Sequence, residues 1–203
     1  GNDVVVSEGS SNDSILVFDG DNSVTSGGGD DTVIAGSGDD SISSGTGNDY
    51  VFAGAGNNHV DLGNGADTVI AGSGDDTILG GAGADSIEGG DGDNWIDGGT
   101  GSDTIMAGGG NDTIFGGSGD DVIHAGDGDN IIDGGAGNDS IVAGGGDDSI
   151  VGGSGNDTIM SGGGNDTIDG GSGNDLIYAG SDGASSITAG AGDDTIYADG
   201  AND

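Results

Sequence analysis

The chain has 203 residues, of which 38 are Asp or Glu and none is Lys or Arg, giving a formal charge of -38. No basic side chain is present to meet a phosphate, which excludes nucleic acid as a partner and makes adsorption to an anionic membrane unfavourable. Only 30% of residues are apolar, a composition that belongs to disordered chains unless something cancels the charge.

No apolar run approaches the roughly 18 residues that cross a bilayer, so membrane insertion is not expected. Cysteine is absent, and disulfides cannot replace a missing core. The chain starts at Gly1 with no methionine and no charged-then-apolar leader, which reads as a processed chain, a fragment or an inferred repeat unit.

From its first residues the sequence runs in nine-residue phrases, G-G-x-G-x-D-x-U-x with U aliphatic. Aligned on the fourth position, units begin their turn at Gly1, Ser11 and Gly20, recur every nine residues to Gly173, and return at Gly183 and Gly192. That makes 22 units, with ten-residue spacings near 3–13 and 175–185, and the eighth position is Val or Ile in all of them. Such fidelity means one supersecondary unit stacked many times.

The last three residues of a unit alternate polar, aliphatic and mixed, which predicts a short strand with one inward side chain. The seventh position is Ser or Thr in 15 of the 22 units, as suits the outer face of a strand. The first six positions are predicted to be a glycine-rich turn. Before the turn, Ala71-Gly72 gives way to Gly80-Gly81, and Ala107-Gly108 to Gly116-Gly117. Successive units are therefore inequivalent, and the structural repeat is 18 residues. The predicted fold is all-β: one right-handed parallel β-roll over residues 1–203, with two short-strand sheets and Gly/Asp turns. Its eleven coils would form a rod of roughly 50 Å at the usual strand spacing.

A longer period of 36 residues places Asn at the sixth position at Asn22, Asn58, Asn94 and Asn130, and Asp at the ninth at Asp61, Asp97, Asp133 and Asp169. It reads as duplication of a two-coil block. Asp21, Asp93 and Asp129 precede three of the asparagines and would offset part of the lost charge.

The sixth position points to a bound metal. It is Asp at Asp3, Asp13, Asp31, Asp40, Asp49, Asp67, Asp76, Asp85, Asp103, Asp112, Asp121, Asp139, Asp148, Asp157, Asp166, Asp175 and Asp194, and Asp203 ends the chain. Coiling stacks residues 18 apart into columns, where bare carboxylates would repel one another. A hard divalent cation between neighbours reverses that interaction, and calcium takes carboxylate and turn-carbonyl oxygens in loose geometry. Zinc would need His or Cys, of which the chain has two and none. Side-chain turns alone would need no fixed column and would leave the charge in place. Asn22, Asn58, Asn94 and Asn130 are weaker candidate ligands.

These units, such as Gly116-Gly117-Ser118-Gly119-Asp120-Asp121-Val122-Ile123-His124 and Gly152-Gly153-Ser154-Gly155-Asn156-Asp157-Thr158-Ile159-Met160, resemble the RTX (repeats-in-toxin) family of calcium-binding nonapeptide repeats. The resemblance covers essentially the whole chain. It implies that units one coil apart share each ion through the sixth-position Asp and turn carbonyls. Twenty-two units then offer up to about twenty calcium sites, whose charge nearly balances that of the protein. It also implies an extracellular, secreted protein exported by type I secretion.

Other residues are read as surface. His59 and His124 face outward in different coils with no second ligand nearby, and Trp95, Tyr50, Ile131 and Leu176 are scattered apolar groups. A thin rod offers no pocket, so no enzyme is expected. The ninth position of alternate units forms an apolar stripe, Ile34, Phe52, Ile70, Met106, Val142, Met160, Tyr178 and Tyr197, interrupted by Glu88 and His124. These side chains either fold over the core or form a lateral interface. Uncapped ends would let copies stack head to tail. The functional expectation is a calcium-stabilised structural protein of a fibre or surface layer. The alternatives are the calcium-dependent folding module of a secreted protease, lipase, toxin or adhesin, and, ranked last, an ice-binding roll.

Overall fold

The computed structural model describes residues 1–181 and 183–198. They form 22 strands, from Val4–Val6 to Thr195–Ala198, with no helix. Alternate strands sort into two eleven-stranded sheets. Pairing is parallel and joins residues 18 apart, as in Ser86 with Thr104 and Thr113 with Ile131. The offset becomes 19 where Val4 meets Ser23 and where Thr167 meets Ser186. The chain is a parallel β-roll of about 18 residues per coil, as its periodicity predicts.

The strands are longer than expected. In the regular coils they run for six residues, for example Thr104–Gly109 and Val122–Asp127, continuing through the glycine pair to the third position. Only the fourth to sixth positions remain for the turn. Glycine makes this extension feasible. Gly117 has φ of 105°, and a Cβ there would overlap the carbonyl oxygen of Gly99 in the coil before. The pair therefore lets two backbones approach closely, a role the expected six-residue turn did not include.

Longer strands bring a second inward position. The eighth-position residues Ile78, Ile96, Ile114 and Ile132 are buried, and so are first-position residues Leu62, Ala71, Ala107 and Ala125. The core is a single file of Val and Ile flanked by small side chains, and each Ile buried there contributes about 1.5–3 kcal/mol. Turns lie on the two long edges of the flattened coil. One edge leads into the sheet that begins with Val4–Val6, the other into the sheet that begins with Ser14–Leu16.

Alanine at Gly117 is expected to lower the stability of the folded chain by about 2 kcal/mol or more, because it combines a strained backbone with a steric overlap. Alanine at Gly109, where a Cβ meets only a side-chain oxygen at 3.7 Å, should be nearly neutral. Thermal unfolding at saturating calcium checks the pair.

Candidate metal centre

The sixth-position residue is the last of the turn, and its side chain folds inward. From Asp31 to Asp175 these residues are buried. Each backbone N–H donates to the Oδ1 of the equivalent residue one coil later: Asp85 to Asp103 at 2.8 Å, Asp103 to Asp121 at 2.8 Å, and Asp121 to Asp139 at 2.9 Å. The result is a hydrogen-bonded column along each edge.

The two columns differ in composition. The one leading into the second sheet is Asp throughout: Asp13, Asp31, Asp49, Asp67, Asp85, Asp103, Asp121, Asp139, Asp157, Asp175 and Asp194. The other alternates, running Asp3, Asn22, Asp40, Asn58, Asp76, Asn94, Asp112, Asn130 and Asp148 before Asp166 and Ser185.

The asparagines show what the inner carboxylate oxygen faces. The Nδ2 of Asn58 donates to the carbonyl of Gly56 at 3.0 Å, that of Asn94 to Gly92 at 3.1 Å, and that of Asn130 to Gly128 at 2.9 Å. Asn22 donates to the carbonyls of both Gly20 and Phe18. At the Asp positions Oδ2 takes the place of this nitrogen, and it has no proton to give. The Oδ2 atoms of Asp67, Asp85, Asp103, Asp121, Asp139 and Asp157, among others, are buried with no hydrogen-bond partner. Such a group is costly to leave unsatisfied. Carboxylate oxygens enclosed among carbonyl oxygens form a cup for a hard cation, and the donor set suits calcium. No three acidic or imidazole side chains converge on one point among the described residues. A cation here would instead combine carboxylates of successive coils with main-chain oxygens.

Electrostatics agree with an unmet demand for positive charge. Desolvation by burial pushes Asp85 up to about 7, and Asp67, Asp76, Asp112, Asp121, Asp148 and Asp157 up to about 6. Asp49, Asp103 and Asp139 are raised by the same cause. The backbone N–H bond on each carboxylate opposes the shift without cancelling it.

Sequence reasoning missed a second ladder at the fifth position, on the solvent side of the turn. There the N–H of Asp93 donates to Asp75 Oδ1, that of Asn111 to Asp93 Oδ1, and that of Asp147 to Asp129 Oδ1. Asp21 likewise accepts from the N–H of Asp39. Asp21, Asp93 and Asp129 are exposed and committed to this outer ladder. They do not reach inward to replace the charge missing at the asparagines.

The ends of the columns are looser. Asp3 is exposed and Asp13 and Asp194 are half-buried. Asp13 accepts from the hydroxyls of Ser7 and Ser11, Asp194 from the N–H of Asp175, and the N–H of Asp166 donates to Ser185 Oγ. Asp203 lies outside the described residues. His59 and His124 are exposed.

In the apolar stripe Ile34, Phe52, Met106, Met160, Tyr178 and Tyr197 are exposed, while Ile70 and Val142 are half-buried. The rings of Tyr178 and Tyr197 stack with centroids 5.0 Å apart. A shallow cleft of about 310 Å³ beside them is lined by Met160, Gly162, Tyr178, Ala179, Gly180, Ser181 and Tyr197, with no carboxylate or imidazole.

Stacked coils with oxygen-lined cups along both edges define a metal-binding β-roll. The family model for the RTX calcium-binding nonapeptide repeat matches in overlapping copies from residues 1–33 to 177–203, including 34–69, 70–105, 106–141 and 142–177. The chain belongs to that family, a structural calcium-binding module. No curated protein matches it significantly.

The raised carboxylates set the pH behaviour of the calcium-free chain. Their folded-state values, about 6 to 7, exceed the ordinary 3.8. Protonation therefore stabilises the fold fully below about pH 4, and that stability is lost as pH rises through 6 to 7. Circular dichroism of calcium-stripped protein from pH 3 to 8 should show sheet at acid pH that melts across this window.

Proposed function

We propose that the chain is an extracellular structural protein: calcium entering its turns makes a self-repelling polyanion compact, and the resulting rolls stack head to tail into a fibre or surface layer. Folding and binding are then one equilibrium, because the cups do not exist in the unfolded chain. At low cytosolic calcium the chain stays unfolded, and at the millimolar levels outside the cell it folds. RTX repeats are typical of secreted proteins, which agrees with this compartment and with type I export. Up to about twenty ions would neutralise it.

The observation that carries assembly is the exposed apolar stripe along one edge: Phe52, Met106, Met160, Tyr178 and Tyr197 all face solvent. In a rod of stacked copies the parallel ladder of each sheet would run on across the junction. The stripe from Ile34 to Tyr197 supports lateral contact between rods.

Family membership favours a second reading, the calcium-triggered folding module of a secreted protease, lipase, toxin or adhesin. Ice binding is the weakest reading: third-position residues Ser37, Thr46, Ala55, Asn64, Ser73 and Ala82 differ from coil to coil and give no regular threonine array.

Electron microscopy with sedimentation separates these readings. Assembly predicts long rods in calcium that dissolve in chelator. A protein that folds with calcium and stays monomeric at all concentrations contradicts assembly and supports the module.

A further inference from the structure

We propose that the two edges of the roll are two different classes of calcium site: the all-aspartate edge binds an ion tightly in every gap, and the Asp/Asn edge closes its gaps with amide bonds and binds ions weakly. The proposal rests on the calcium reading above and concerns how the ions divide between the edges.

The asparagine amides cannot turn to offer oxygen inward. Backbone N–H groups already donate to their Oδ1 atoms, Asp40 to Asn58 at 3.0 Å, Asp76 to Asn94 at 3.0 Å and Asp112 to Asn130 at 3.0 Å. A flipped amide would set donor against donor. The NH2 therefore points inward and fills the place where a cation would sit, bonded to the turn carbonyl. From Asp3 to Asp148 every gap on this edge includes one such asparagine.

The first position varies in step with the edges. On the all-aspartate edge it is Gly80, Gly98, Gly116, Gly134, Gly152 and Gly170 in six successive coils, and a Cβ there would come within 2.7–2.9 Å of the inner Oδ2. Earlier coils of the same edge carry Ser26, Ser44 and Leu62. On the other edge Ala35, Ala53, Ala71, Ala107, Ala125 and Ala143 place buried methyl groups in this space, with Gly89 and Ser161 the exceptions between Ala35 and Ala179. From Gly80 onward the first edge thus keeps its cups open, while methyl groups narrow most cups of the other, where the Oδ2 atoms of Asp40, Asp76, Asp112 and Asp148 also lack a partner.

Adjacent carboxylates act on both edges, and what divides them is charge within the column: Asp85 stands between Asp67 and Asp103 and Asp121 between Asp103 and Asp139, whereas Asp76 and Asp112 stand between asparagines. Asp97 lies close enough to Asp103, and Asp133 to Asp139, for their charges to interact on the all-aspartate edge. The alternating edge is flanked by the apolar stripe residues Met106 and Met160. On that edge the outer carboxylates Asp75 and Asp93 act in the same way on Asp76 and Asp112.

The test is calcium titration of the stripped full chain by calorimetry, with circular dichroism in parallel. Eleven aspartates give ten gaps on one edge, and the Asp148–Asp166 gap adds an eleventh. A tight phase of about eleven ions is expected, followed by a phase at least roughly tenfold weaker, as ligand charge count sets affinity. Asn58→Asp, Asn94→Asp and Asn130→Asp together border six gaps and should move about six ions into the tight phase. Asp85→Asn, Asp121→Asn and Asp157→Asn together should remove about as many. If that second variant fails to fold, the first decides alone. One class of sites with equal stoichiometry in wild type and the asparagine-to-aspartate variant overturns the division while leaving calcium binding intact. Absence of both heat and ordering on adding calcium overturns the calcium reading itself.

Discussion

The structure depends on a buried carboxylate oxygen that faces oxygen and has no proton to give. Away from the ends, sixth-position Asp residues use Oδ1 to tie their coil to the one before, which leaves Oδ2 enclosed beside the turn. Polar contact alone cannot complete that arrangement. It needs either protons, which the raised carboxylates would take up in mild acid, or divalent cations, which suit neutral pH. With 38 acidic residues, no Lys or Arg and two His, the chain has little positive charge of its own to set against them.

Much of this was legible in the sequence because the signal repeats. A fixed aliphatic residue every nine positions gave the core file, and unequal glycine pairs gave the 18-residue coil. The Asp columns followed from those two facts. Strand length was not legible. Gly-Gly reads locally as a turn, and only the close approach of Gly117 to Gly99 in the neighbouring coil shows that the pair is strand.

The outer ladder was hidden for a different reason. Its positions carry Asp, Asn or Ser, and Ala66, Ala84 and Ala184 interrupt it, so no single residue type recurs. What they share is an acceptor for a backbone N–H one coil away, as at Asp120 with Asn138 and Asn156 with Asn174. The alternation of Asn58, Asn94 and Asn130 was visible, yet its meaning was not. It became chemical once the amide nitrogens were seen to occupy the place that carboxylate oxygens take on neighbouring coils. The Ala/Gly alternation follows the same edges over most of the coils, with Gly89 an exception.

Exchange of amide hydrogens at neutral pH and low ionic strength gives the most direct measurement. The account predicts that the N–H groups of Asp103, Asp121 and Asp139, each bonded to the next carboxylate, are protected in calcium and exchange like an unfolded chain once calcium is stripped. Protection that survives complete removal of divalent ions at that pH would contradict it.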